Sequence, residues 1–271
     1  MKKDDIIIVA CCFRLSPEDM LNRLRSLIGT RSSIFGYIVC ANASIERTLA
    51  PGWILLPSDN RDFDFSAYLK GAERVRQAHP ESRAVVFLND TLFTNHAAAA
   101  NFNALWRQVG LIQYLELPAI AGKTDPYTTV CLRNPWSGLG HYVTTFCFML
   151  NRHAITFMFQ LRAMADRDGV TLERSVDDPL WANSLPPAFR QFLKANLVYA
   201  QSPYLWYRLK EAKYSSQQIS SKARAIYFEH RLSGVIGDAG CILPTNSGPR
   251  WAMYLRLHEL LRRFLKIIRI G

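Results

Sequence analysis

With 271 residues, the chain allows one large domain or a domain with an appendage. Its 49% apolar content is enough to fill a large core, which excludes a chain disordered by composition. Lys and Arg outnumber Asp and Glu by 33 to 22, and the net charge of +11 favours anionic partners: nucleic acid, an acidic membrane face or phosphorylated ligands.

The chain opens Lys2-Lys3-Asp4-Asp5 and passes into a short apolar run with no cleavage pattern behind it, so it does not read as a signal peptide. No stretch reaches the ~20 apolar residues of a membrane span, and the expected location is the cytoplasm. Residues 6–12 form a continuous β-branched run, as expected of a strand buried on both faces. Ser16-Pro17-Glu18-Asp19 then opens a helix, with Ser as N-cap, Pro in the first turn and acids at the positive end. Residues 34–40 and 53–56 predict strands, 65–77 a helix, 84–88 a buried strand and 96–109 a helix. Further strands are expected over 119–122, 128–132 and 142–150, and a helix over 155–165. Residues 179–221, rich in aromatics and less regular, read as an appendage.

Alternation of strand and helix through the first ~110 residues predicts an α/β fold, a mostly parallel sheet flanked by helices, with a helical C-terminal appendage. The expected division is an α/β domain over 1–178, a helical region over 179–250 and a C-terminal helix over 251–271. The six cysteines form no CxxC pair and mostly sit in apolar runs, so buried reduced thiols are expected rather than zinc ligands or disulfides.

Ligands of open α/β sheets bind beyond the carboxyl ends of the strands. Phe13 and Arg14 follow the first strand, Asn42 the second, and Asn89-Asp90-Thr91 the strand at 84–88. No GxGxxG follows the first strand, and there is no GxxxxGK[ST], which argues against a dinucleotide site or a P-loop. A carboxylate at a strand end, here Asp90, suits Mg²⁺ or Mn²⁺ beside a departing diphosphate. Taken alone, the tripeptide reads more readily as a turn or helix cap. Asn60-Arg61-Asp62-Phe63-Asp64-Phe65-Ser66-Ala67-Tyr68 places two acids and two aromatics before a helix. A helix start of that kind suits a sugar or phosphate, with capping by Asp64 as the simpler alternative.

These clusters, followed by His141-x-x-Thr144-x-Phe146 before Asn151-Arg152 and later by Glu229-x-x-Leu232-Ser233, resemble bacterial glycosyltransferases related to the rhamnan synthesis protein F group and to family 2. The order and approximate spacing agree from residue 6 to about residue 155. The resemblance implies a GT-A-like fold, a nucleotide-diphospho-sugar donor and an inverting hexosyl transfer, rhamnosyl transfer among the reactions allowed, in surface polysaccharide or O-antigen synthesis. It implies a donor site of Phe13, Arg14, Asn42, Asn60, Asp64, Asn89 and His141, with Asp90 as metal ligand. Glu229 is the candidate base for a glycan or lipid-linked acceptor, with Asp177 and Asp178 as rivals. The competing readings are a basic α/β module that binds nucleic acid and a transferase-like scaffold without activity. Against the former, the aromatics lie in apolar runs and are not interleaved with Lys and Arg, so no nucleic-acid partner is expected.

Residues 251–271 predict a basic amphipathic helix. Leu257, Leu261, Phe264 and Ile268 share one face, and Arg256, Arg262, Arg263, Lys266 and Arg269 share the other. Such a helix suits reversible contact with the anionic inner face of a plasma membrane, or equally packing on the protein's own core.

Overall fold

A computed structural model describes residues 6–29, 34–127, 131–199, 202, 205, 206, 209 and 213–246. The segment 251–271, and with it the amphipathic helix, lies outside the described residues.

The first half alternates as the hydrophobic pattern predicts. Strand β1 (Ile6–Cys12) is followed by helix α1 (Pro17–Ile28), β2 (Phe35–Cys40), β3 (Arg47–Ala50), β4 (Trp53–Pro57), α2 (Asp64–Ala78) and β5 (Ala84–Asn89). The start of α1 is set as expected, since Ser16 accepts a hydrogen bond from the Asp19 amide and Pro17 occupies the first turn. Short helices α3 (Thr91–Asn95), α4 (Ala98–Trp106) and α5 (Val109–Ile112) lead to β6 (Ala119–Pro126) and β7 (His141–Asn151). Then come α6 (Arg152–Met158), α7 (Leu161–Arg167), α8 (Pro187–Leu197), α9 (Ser216–Ala239) and β8 (Cys241–Pro244).

The eight strands form one sheet in the order β3-β4-β2-β1-β5-β7-β6-β8. β1 is parallel to β2 and β5, β2 to β4, and β6 to β8, whereas β7 runs against both β5 and β6 and β3 runs against β4. The sheet is therefore mixed: β4, β2, β1, β5, β6 and β8 point one way, and β3 and β7 oppose them. Helices cover both faces. Ile7, Val9 and Cys11 of β1 point into the core shared with α2, α7 and α9, and Ile6, Ile8 and Ala10 into the core shared with α1 and α4. That two-sided burial is why β1 is apolar at every position. On the first face, a Cβ on Gly71 of α2 would lie 2.2 Å from Val9 Cγ1, so only glycine lets α2 come this close to β1.

Four expectations need correction. The helix expected over 96–109 is shorter: His96 is extended (φ −132°, ψ 161°), α4 runs Ala98–Trp106, and α5 starts anew at Val109. The helix expected over 155–165 is likewise two, α6 and α7, with the break at Phe159 and Gln160. Of the strand expected over 128–132, Cys131 and Leu132 are not in a strand and 128–130 lie outside the described residues. The stretch 179–221, read as an appendage, packs into the main core, since Trp181, Leu185, Phe189 and Leu193 join the buried cluster that contains Val9 of β1 and Phe148 of β7.

Candidate functional site

β1 and β5 lie side by side and run the same way, so the residues after them, Phe13 and Asp90, emerge together at one edge of the sheet. β7 runs against β5, which brings its first residues to that same edge. The start of α2 arrives from β4, and α9 crosses β7. A cavity of about 510 Å³ lies between these elements. Among its lining residues are Phe13, Phe63, Asp64, Asn89, Asp90, Lys123, Asp125, Thr145, Phe146, Trp206, Lys222 and Glu229.

Asp90 is buried at the floor, 2% exposed. Its Oδ2 accepts hydrogen bonds from the backbone N–H groups of Phe13 (2.8 Å), Arg14 and Leu15 (3.1 Å). A carboxylate that collects three amides fixes the loop after β1 and draws its charge compensation from that loop. Asn89 donates from Nδ2 to Asp64 Oδ2 at 2.6 Å, and its Oδ1 accepts from the Thr91 amide at 3.1 Å. Asp64 is thus held at the first turn of α2, close to Asp90. Burial raises its pKa, with Lys222 and the Asn89 hydrogen bond opposing the rise.

Glu229 faces the cavity from α9. Its Oε1 accepts from the Thr145 amide (2.7 Å) and the Thr145 hydroxyl (2.9 Å). Burial raises its pKa too, and the Thr145 hydrogen bonds and Lys222 reduce the effect. Lys222, Ala225, Ile226 and Glu229 all line the cavity, the i, i+3, i+4, i+7 pattern of one helix face. The Lys222 ammonium stands 5.8 Å from the ring centre of Phe63 and 5.0 Å from that of Trp206. Phe63 in turn stacks on Phe13 at 6.3 Å, so the mouth is a cluster of aromatic faces. On the far wall Lys123 pairs with Asp125 at 3.4 Å, and His96 stacks on Phe146 with ring centres 3.8 Å apart.

The chain matches no protein-family model and no curated protein. The functional reading therefore stands on the site itself.

Of the residues singled out from sequence, Phe13, Asp64, Asn89, Asp90 and Glu229 line this cavity together. Asn60 does not. It lines an adjoining cavity with Asp59, Arg61 and Tyr214, which shares the walls Phe13 and Phe63 with the first. Arg14 and Asn42 are exposed beyond the ends of β1 and β2, and neither lines either cavity. His141 is buried at the start of β7, in register with Pro126, and is outside the lining. Asp177 and Asp178 lie in the loop before α8, where Asp178 Oδ1 accepts from the Leu180 amide, and neither lines the cavity.

The side chains of the cavity offer a divalent metal few free ligands. Asp90 Oδ2 is already committed to three amides. Among the described residues no group of three or more His, Cys, Asp or Glu side chains could hold a metal ion. Asp90 thus shapes the loop through Oδ2, and the metal expected on it would meet Oδ1.

Sequence reasoning missed Lys222, Thr145, Lys123 and the support beneath Phe63. A signal for the first existed: Ser215 and Gln218 form a capping box that marks the start of α9, after which the spacing of Lys222 and Glu229 can be read. The support beneath Phe63 had no such signal. Asp62, fully buried, accepts from Arg162 Nε at 2.7 Å and Arg224 Nε at 2.9 Å, and its amide donates to Ser66 Oγ at 2.8 Å. Arg224 also reaches Asp166 and the Val170 carbonyl. This network holds the turn in which Asn60 and Phe63 both take φ of +52°. That conformation is uncommon for side-chain-bearing residues and needs such support.

Proposed function

We propose that the protein is an inverting glycosyltransferase. It would move a hexosyl group from a nucleotide-diphospho-sugar to a hydroxyl of a glycan or lipid-linked acceptor in bacterial surface polysaccharide synthesis. The observation that carries this reading is Glu229: a carboxylate with raised proton affinity, oriented by Thr145, facing a cavity at the carboxyl ends of parallel strands. In the reaction the acceptor oxygen attacks the anomeric carbon. Its proton passes to the Glu229 carboxylate, and the bond from that carbon to the diphosphate breaks. The aromatic faces of Phe13, Phe63 and Trp206 suit a base or a sugar ring. A GT-A-like sheet is compatible with the strand order, but other α/β folds share these features, so the chemistry of the cavity carries the argument.

The test is a panel of nucleoside diphosphates and their sugars, read first by thermal shift and then by turnover. At least one nucleotide raises the melting temperature, and Glu229→Gln keeps that binding while turnover falls ~10²–10⁴-fold. If no nucleotide binds and the protein retains nucleic acid on a filter instead, the reading is wrong. Attachment of the enzyme to its lipid-linked acceptor through residues 251–271 belongs to the same proposal. Co-sedimentation with anionic vesicles, with and without that segment, tests it. Among the described residues no helix is long and apolar enough to cross a membrane.

A further inference from the structure

Transfer from a sugar diphosphate needs a positive charge where the diphosphate departs. The carboxylates here leave a divalent ion little to hold: Asp90 Oδ2 accepts from three loop amides, Asp64 accepts from Asn89 at Oδ2 and from the Cys11 thiol at Oδ1, and among the described residues no group of three or more ligating side chains exists, which leaves Asp90 Oδ1. The cavity does contain cations. Lys123 has its counterion in Asp125 at 3.4 Å. Lys222 is different: its ammonium lies over the rings of Phe63 and Trp206, no carboxylate of the described residues lies within ion-pair distance, and it acts on Asp64 and Glu229 only from farther off. Cation–π contacts orient an ammonium without neutralising it. Lys222 is also seven residues, two turns, before Glu229 on the same helix face, a separation of about 10 Å along the axis at 1.5 Å per residue. Ala225 and Ile226 form an apolar floor between them. The face thus offers a cation at one end and a base at the other, with apolar side chains between.

We infer that Lys222 is the leaving-group cation, and that transfer proceeds without a divalent metal. This rests on the glycosyltransferase reading and specifies its chemistry. The bond between the acceptor oxygen and the anomeric carbon forms on the Glu229 side. The electron pair of the breaking bond goes to the terminal diphosphate oxygen, whose new charge Lys222 meets, and the acceptor proton goes to Glu229. No oxidant, reductant or further reactant is required.

The experiment uses the full chain and the nucleoside diphosphate that the panel selects. Binding is titrated calorimetrically in excess EDTA and again in excess Mg²⁺, and turnover is measured in both. The expected result is that EDTA leaves affinity and turnover unchanged within twofold. Lys222→Met, which keeps the stem over the rings, lowers turnover ~10²–10³-fold, as loss of one preorganised charge-stabilising group does. It also flattens the salt dependence of nucleotide binding, a change that a packing role would not produce. Lys222→Arg restores a substantial part of both. Turnover abolished by EDTA and recovered with Mg²⁺ overturns the inference while leaving the transferase reading intact. So does a Lys222→Met enzyme that turns over normally. Absence of any nucleotide binding to the wild type instead removes the transferase reading itself.

Discussion

Replacing Asp62 with alanine removes the acceptor of two guanidinium groups at a position with no exposure. Breaking a buried ion pair from one side costs about 3–5 kcal/mol, because the remaining charge stays buried without its partner. Here the two partners differ. Arg162 is 41% exposed and can turn to water, whereas Arg224 is 2% exposed and cannot. Arg224 keeps Asp166 and the Val170 carbonyl, which places the expected loss at the lower end, about 3 kcal/mol. For a chain of this size, 1 kcal/mol corresponds to about 2–4 °C, so the melting temperature falls by about 6–12 °C. Chemical denaturation at neutral pH gives the free energy, and a thermal scan gives the second reading. A companion variant, Asp62→Leu with Arg224→Met, recovers much of the loss, since burying neither charge removes the penalty. Glu18→Gln, which breaks an exposed pair with Arg47, leaves the melting temperature unchanged. A loss for Asp62→Ala below about 1 kcal/mol, the scale of surface pairs, would refute the reasoning, as would a double variant no more stable than the single one. Because the network supports the turn that presents Phe63 and Asp64, the proposed function predicts that Asp62→Ala also weakens nucleotide binding.

Asp90→Ala leaves three loop amides without their acceptor, and a loss of about 2 kcal/mol is expected from replacing charge-assisted bonds with water. Amide exchange at residues 13–15 then quickens by at least about tenfold, and unchanged exchange there would show that the loop holds itself. Glu229→Gln changes how stability depends on pH. Burial raises the Glu229 pKa in the folded protein, so the folded state holds its proton to higher pH than the unfolded one. Wild-type stability therefore falls as pH rises from the ordinary carboxylate range through the raised value, and the glutamine variant lacks that fall. The two proteins should melt together below that range, with the variant melting higher above it. Parallel curves across the whole range would contradict the burial argument.

How far the sequence alone reaches depends on the range of the interaction. β1 and β5 are continuous apolar runs, and a strand buried on both faces needs nothing else to declare itself. Ser16-Pro17 announces α1 because the cap bond is made within three residues. Phe13, Asp64, Asn89 and Asp90 were legible as site residues because they follow strand ends or start a helix, where α/β ligands gather. What Asp90 does there was not legible, since its partners are the amides of a loop 75–77 positions away. Nor was the extended backbone of His96, which the sequence places at the start of a helix and the structure stacks on Phe146 instead.

Local propensity and periodicity are thus determined by the sequence itself, as is the placement of polar residues beyond the strands. The tertiary structure decides what depends on closing long loops. β8 joins the sheet as four residues with little pattern of their own, and its approach requires Gly240, whose added Cβ would lie 1.8 Å from the Pro118 carbonyl oxygen. β7 runs against β5, and that reversal brings Thr145 and Phe146 to the same edge as Asp90. Asp62 finds Arg162 and Arg224 at separations of 100 and 162 positions. No local signal encodes such pairings, because their free energy appears only when the desolvated groups are already together. The same holds for Lys222 and Glu229. Their spacing on a helix face can be read from the sequence, but their presence opposite Asp64 and Asp90 follows from the packing of α9 across β7.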